Sequence, residues 1–515
     1  MPRLGRAPVA AADPAPSRAC YNCRRRRLRC DRSRPACRKC SAAGEDCLGY
    51  GTVLRWANAP AIRGKLVGQL SVRSPQPKPA LVKLESDQEP SETLTIQPSL
   101  LDPLLNSLHH RARHYVHHCT HAPSSPSYTH QSHSQAAVAA AVCRDLVSFD
   151  QLDRNPFRVI IPLAAKFDFL EAIVVATGAM HMAALHGYQD QPGRSELLDA
   201  LVAKDRAIRL LRSAIDQVTP ANQAMVLAAT VFLVNIDLID SGKGGWQAHI
   251  EAASSLLSSL HGPLLDLDPS LMACVDAIAA DCLTYRVLGS AIGGVAQASW
   301  SERELAAVLS VLKRAEAHSY HCCPPEIMHI LLSATRLCRT AASGQSRVDE
   351  ALALLHQARS VDVVEWVYSI RGLSDQDDLS IRVSVALAHR AAACLYTLLA
   401  VPEAAPFPES VDMLVQEVLS NLADVPVDHI HLKGTIWPTF VVGAQTNDLA
   451  QRAWCIERME AVWTRNPWIC PWGYIRTAVQ MMQQLWEARD RAPAGPVKGN
   501  WLLEMQSMRE KCLIV

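Results

Sequence analysis

The sequence predicts two unlike parts: a small cysteine-built cluster of two short helices, and a large all-α domain behind it. Three features of the 515 residues predict this. Six cysteines recur at a repeated spacing within residues 20–47. From Asn155 onward, apolar residues recur with the 3.6-residue period of amphipathic helices or fill long buried ones. Runs with the two-residue period of a strand are few and short.

The cluster comes first. Cys20-x2-Cys23-x6-Cys30 is repeated as Cys37-x2-Cys40-x6-Cys47 after a six-residue spacer. Thiols this crowded in an intracellular chain favour metal over disulfides. Zinc takes four tetrahedral ligands and accepts thiolate. Two separate zincs need about eight ligands. Six cysteines reach that number only if two sulfurs are shared, because no histidine precedes His109. A single zinc on Cys20, Cys23, Cys37 and Cys40 would leave Cys30, Cys47 and the repeated gap unexplained. The fold class is therefore a small metal-stabilised two-zinc cluster plus a large all-α domain.

Residues 24–29 read Arg-Arg-Arg-Arg-Leu-Arg, which predicts a short helix started by the metal-bound turn. Asp31, Ser33 and Pro35 predict a turn into the second half, which carries far less positive charge. Residues 1–73 hold 16 Lys and Arg against 4 Asp and Glu, a net of +12, leaving −11 for the rest. A basic head on a mildly acidic body points to a polyanion partner.

The run from Cys20 to Cys47 resembles the fungal six-cysteine binuclear zinc cluster of transcription factors. The resemblance implies two zinc ions on Cys20, Cys23, Cys30, Cys37, Cys40 and Cys47, with Cys20 and Cys37 bridging. It implies double-stranded DNA as partner, with Arg26 and Arg27 approaching a CGG triplet in the major groove. Arg27 stands where the family commonly has lysine, and Pro35 matches the family's turn proline. Arg24, Arg25, Arg29, Arg32, Arg34, Arg38 and Lys39 are then expected on phosphates. The implied role is regulation of RNA polymerase II transcription in the nucleus, with transcription machinery or co-regulators as further partners. A pathway-specific or secondary-metabolism regulator is one form of it. The arginine block doubles as a candidate import signal.

The chain divides into a basic tail (1–19), the cluster (20–47), a linker (48–100), an amphipathic helix (101–121), a His/Ser/Pro-rich lead-in (122–150) and the body (151–515). Gly49-Tyr50-Gly51, Leu54-Arg55-Trp56 and Arg63-Gly64-Lys65 resemble the stretch that trails the cluster in one branch of the family. Prolines 60, 75, 77, 79, 90, 98 and 103 leave no run of heptads in the linker, so a dimer would form through the helical body. In the helix over 101–121, Leu101, Leu104, Leu105, Leu108, Ala112, Tyr115, Val116 and Cys119 share one face. His110, His114, His117, His118 and His121 share the other. We read the histidines as a solvated face; pairs four apart are also spaced to bind zinc or copper.

In the body, Asn155-Pro156-Phe157 opens an element and 163–185 is a buried helix. Ser195 is expected to cap the next, with a stripe of Leu198, Leu201, Val202, Ile208, Leu211 and Ile215. Helices are predicted at 221–239, 246–260, 271–288, 302–317, 327–341, 377–400, 408–422, 447–463 and 474–491. Asn155-Pro156-Phe157, Gly244-Gly245-Trp246 with His249, and the run Trp437 to Gly443 resemble the family's regulatory domain.

Composition excludes little else by itself. At 49% hydrophobic and 20% charged, the chain can bury a sizeable core. The longest uncharged apolar-looking stretch, 217–236, is broken by Pro220, Asn222, Gln223 and Asn235, so no membrane span is expected. Pro2, Pro8, Asp13, Pro14 and Pro16 replace the apolar run a secretory signal needs. No nucleotide loop, HExxH helix, GxSxG elbow or Cys/His catalytic setting is read, so an enzyme is not expected. Asp375, Asp377 and Asp378 are assigned to a helix start. A cross-brace zinc interaction module would need eight ligands and a nearby histidine. The eleven cysteines from Cys119 to Cys512 are read as buried and inert, with Cys322 and Cys323 on a loop.

Overall fold

A computed structural model of the chain describes residues 19–20, 23–24, 26–33, 37–43, 47, 108, 110–120, 141–147, 155–188, 190–219, 222–259, 269–292, 302–339, 344–404, 408–464, 472–491, 499–505, 508 and 512–515. The linker, the Ser/Pro/His-rich loop, Arg25, Arg34 and Pro35 lie outside them. The chain forms two compact units, residues 1–94 and 95–515. Every regular element among the described residues is helical.

In the first unit, α1 is Arg38–Ala42. The second unit begins with α2 (His110–Thr120), α3 (Ala141–Asp145) and α4 (Pro156–Ile160). It continues with α5 (Asp168–His186), α6 (Gln191–Ile215), α7 (Gln223–Asp240), α8 (Trp246–Ser259), α9 (Pro269–Ala291) and α10 (Glu302–Ala315). Then come α11 (Pro325–Arg339), α12 (Gln345–Ser360), α13 (Val363–Ser369), α14 (Leu379–Ala400) and α15 (Val411–Ala423). The last are α16 (Ile436–Gln445), α17 (Leu449–Thr464), α18 (Gly473–Arg491) and α19 (Trp501–Met505). One contiguous core runs from Leu108 to Val515.

Local chemistry explains several boundaries. Asn155 Oδ1 accepts from the backbone N–H of Phe157 and Arg158 at 3.0 and 3.4 Å, while its Nδ2 donates to the Cys143 carbonyl at 2.8 Å. Pro156 follows at the first helical position, where a missing N–H costs nothing. The helix expected over 163–185 starts later, at Asp168, because residues 161–166 wind as a 3-10 turn around Pro162. Asp378, not Asp377, caps α14, accepting from Ser380 and Ile381. Helices α12 and α13 fall in a stretch where the sequence reading placed none.

Ser195 does not cap α6. It lies inside the helix and accepts from Arg111 at 3.0 Å. The expected stripe is also displaced. Leu211 is buried, but Leu198, Leu201, Val202 and Ile215 are exposed. The buried face of α6 is made of Gly193, Glu196, Ala200, Ala207 and Leu211. A Cβ on Gly193 would stand 2.1 Å from the Gly187 carbonyl oxygen. Small residues let α6 lie against α5, and the larger apolar groups are left outside.

Helices α5, α7 and α14 are each long and apolar enough to cross a membrane, contrary to the reading of 217–236 as too interrupted. Their apolar windows are 72, 89 and 78% buried inside the body. Asn235 sits within α7 with only its Oδ1 paired, accepting the Tyr285 hydroxyl at 3.1 Å.

Leu108 and the apolar face of α2, Ala112, Tyr115 and Val116, pack on the body. Tyr115 donates to Asp199 at 2.7 Å. His110 and His114 are exposed, whereas residues 101–107, 121 and the side chains of 117–120 lie outside the described set. The C-terminal residues Cys512, Leu513, Ile514 and Val515 are buried, with the Leu513 N–H donating to the Gly242 carbonyl at 2.9 Å.

Candidate metal centre and nucleic-acid interface

The repeated spacing produces two like half-sites. In each, the N–H three residues along donates to the first sulfur: Cys23 to Cys20 Sγ, and Cys40 to Cys37 Sγ, both at 3.4 Å. The Cys20 N–H donates in turn to Cys30 Sγ at 3.4 Å. Cys37 thus serves as the N-cap of α1. Asp31 joins the halves. Its Oδ2 accepts from the Ser33 hydroxyl and from the Arg38 N–H at 3.2 Å. The Ser33 hydrogen bond leads in holding the Asp31 carboxyl down to about 2.

The six sulfurs converge. Cys20, Cys23, Cys30 and Cys37 form one group and Cys20, Cys37, Cys40 and Cys47 the other, with all sulfurs of a group within 4.8 Å of one another. Cys20 and Cys37 belong to both, and their sulfurs are 3.5 Å apart. Cys20 to Cys40 and Cys23 to Cys37 are each 3.7 Å. A tetrahedron of Zn–S bonds sets sulfur separations of about 3.8 Å. The donor set therefore fits two thiolate-ligated metals sharing two sulfurs. Burial and the neighbouring sulfurs raise Cys23 and push Cys40 up to about 12, whereas at Cys30 burial is outweighed by the N–H groups of Cys20 and Arg32, which bring the thiol down to about 7.

The arginine helix differs from expectation. Among the described part of 24–29 only Arg24 is helical, following Cys23. The Leu28 N–H donates to the Cys23 carbonyl at 2.9 Å and the Arg27 N–H to the Arg24 carbonyl at 3.2 Å, with Arg27 at φ +53°. This is the Schellman closure of a helix end, with arginine in the left-handed position that glycine usually takes. The six-residue helix is thus one turn, closed by the return of the chain to Cys30. Arg24, Arg26, Arg27, Arg29, Arg32, Arg38 and Lys39 are all exposed, whereas Cys20, Cys23, Cys37 and Cys40 are buried. Arg32 also has positive φ, +61°.

A six-sulfur two-metal centre flanked by exposed arginines, on a chain with an all-α body, defines a DNA-binding transcription regulator. The chain belongs to the fungal transcription factors with a Zn(2)-Cys(6) cluster: the Fungal Zn(2)-Cys(6) binuclear cluster domain matches residues 18–57 and the Fungal specific transcription factor domain residues 140–515. The cluster domain binds two zinc ions. The chain is 44% identical to the acriflavine sensitivity control protein acr-2 of Neurospora crassa, over 97% of each chain. It is 21% identical to the phomenoic acid biosynthesis cluster-specific transcriptional regulator of Leptosphaeria maculans, over 86% of this chain and 81% of that one. No solved structure matches the chain.

The sequence reading missed a buried polar array in the body. Cys322, His431, Asp377 and Arg382 meet there from segments up to 109 residues apart. Their separation along the chain hides them from any local motif. The sequence reading found no Cys/His pair because this one is assembled only by the fold.

Proposed function

We propose that the cluster reads CGG-type triplets from the DNA major groove, with Arg26 and Arg27 on base edges. Arg24, Arg25, Arg29, Arg32, Arg34, Arg38 and Lys39 hold phosphates, fixing register without specifying sequence. The observation that carries the reading is the shared sulfur pair flanked by exposed arginines: Cys20 and Cys37 lie in both sulfur groups at 3.5 Å.

We assign Cys20 and Cys37 as bridges and Cys23, Cys30, Cys40 and Cys47 as terminal ligands. When bound, two zinc ions neutralise most of the thiolate charge and hold a fold whose own core is too small to persist. The N–H groups of Cys23 and Cys40 stabilise anionic sulfur at Cys20 and Cys37. Asp31 sets where α1 begins, and so where Arg38 and Lys39 face.

The helical body regulates activity and receives the transcription machinery or co-regulators. Its apolar helices serve the core, not a membrane, and the chain works in the nucleus without enzymatic activity. The proline-broken linker leaves the body as the place where a dimer would form. The names of the relatives support pathway-specific control. Selection of bound sequences from a random pool by the full-length protein tests the reading, with zinc counted per chain. Enrichment of CGG with two zincs is expected; one zinc, or no enriched triplet, would defeat it.

A further inference from the structure

The loop before α11, the start of α14 and the 3-10 turn Ile430–Thr435 converge on one buried array. Cys322 Sγ lies 3.4 Å from His431 Nδ1. His431 Nε2 lies 2.6 Å from Asp377 Oδ1. Arg382 donates to Asp377 Oδ2 through Nη2 at 2.6 Å and Nε at 3.0 Å. The side chains of His431, Asp377 and Arg382 are fully buried and Cys322 is 1% exposed. The Tyr320 carbonyl is farther from the sulfur, at 3.6 Å.

Asp377 fixes the imidazole so that Nδ1 faces the sulfur, the orienting role a carboxylate plays beside a histidine and its nucleophile. Burial alone pushes the Cys322 thiol up, but Arg382 and His431 outweigh it and hold the thiol below its usual range. Burial likewise lowers His431, but the Cys322 and Asp377 charges push it up to about 9. The Cys322–His431–Asp377 chain gives the thiol proton an acceptor at Nδ1. Other buried thiols behave differently: burial leads in pushing Cys394 and Cys455 up to about 12.

We propose that Cys322 is an oxidation site for small hydroperoxides, with His431 as proton donor and Asp377 as its positioning residue. The thiolate attacks the terminal peroxide oxygen, forming the S–O bond and breaking the O–O bond. Sulfur gives up two electrons and the peroxide takes them. The leaving hydroxide or alkoxide takes the Nδ1 proton of His431 and departs as water or alcohol. A sulfenic acid and a neutral imidazole remain. Cys322 is 1% exposed, which restricts the proposal to hydroperoxides near the size of water, entering as the packing around the sulfur opens transiently. The added oxygen must then be fitted among Val385, Val425 and Ile381, which pack around the sulfur. Oxidation would thus push apart the three segments that the array joins, giving the body a response to oxidant that is separate from DNA reading.

The test exposes full-length, zinc-loaded protein to hydrogen peroxide, removes the peroxide with catalase, unfolds the chain into a sulfenic-acid-selective 1,3-dione and maps the peptides. Cys322 should be labelled at least about tenfold faster than Cys394 and Cys455 at pH 7, where ordinary thiols are mostly protonated. Labelling at the rate of those two, or on Cys323 instead, overturns the proposal in the wild-type protein alone. His431→Gln should slow Cys322 about tenfold and move its pH profile upward, and Asp377→Asn should move it in the same direction. Cys323→Ser should leave the rate unchanged. An unaltered profile in His431→Gln also overturns it, with helical circular dichroism confirming that each variant folds.

Discussion

Arg27 carries two roles that separate cleanly. Its backbone closes the helix end at φ +53°, and its side chain is exposed toward the proposed DNA face. Left-handed backbone costs a residue with a Cβ about 1–2 kcal/mol, a cost alanine keeps and glycine escapes. A bidentate arginine–guanine contact supplies about 1–3 kcal/mol of discrimination. Arg27→Ala and Arg27→Gly should therefore lose the same ratio of CGG to scrambled binding, about tenfold, while only glycine also makes the cluster more stable. Arg38 lies on α1 in the other half, so Arg38→Ala should weaken both DNAs alike and reduce the salt slope by about one unit. Titrations of the full-length variants at two salt concentrations decide this. An intact ratio in Arg27→Ala would remove the arginine turn as the reading element.

Helix starts and glycine contacts show which parts of the fold were legible. Asn155 announces its helix because cap, proline and first turn are contiguous. The α6 stripe misleads because periodicity reports apolar faces, and here a face of Gly193, Ala200 and Ala207 is the one buried. Gly473 makes the same point more sharply: a Cβ there would stand 1.9 Å from the Asp240 carbonyl oxygen at the end of α7. Gly473→Ala must move backbone, and overpacking of this kind costs about 1–3 kcal/mol or more. Gly372 has φ +84° and nothing within 4 Å, so Gly372→Ala carries only the conformational cost, about 1 kcal/mol. Denaturation of the two variants followed by helical ellipticity should place Gly473→Ala clearly below Gly372→Ala. Equal losses would mean that α18 can shift away from α7 freely.

At the scale of the molecule, the cluster was legible because its six ligands are contiguous and ligand counting is arithmetic. The polar interior of the body was not, because its partners come from distant segments. Asp281 on α9 illustrates this. It reads as one polar residue in a helix, yet it is 8% exposed beside Leu146, Val147, His318 and Ser319. Burial pushes its carboxyl up to about 8 from 3.8, with Lys433 opposing. The folded body then holds a proton that the unfolded chain releases near pH 4. Stability contributed by this group is greatest at low pH and declines as pH climbs from about 4 to about 8. His431, raised to about 9, tilts stability the same way: its contribution is complete below about 6.5 and fades as pH rises through about 9. A comparison with Asp281→Asn isolates the first group, since asparagine keeps the shape of the neutral acid and cannot ionise. The variant should gain on the wild type by more than about 1 kcal/mol between pH 5 and pH 8, read from denaturant midpoints. A gap that does not change with pH would mean that Asp281 stays ionised in the fold, with Lys433 outweighing burial.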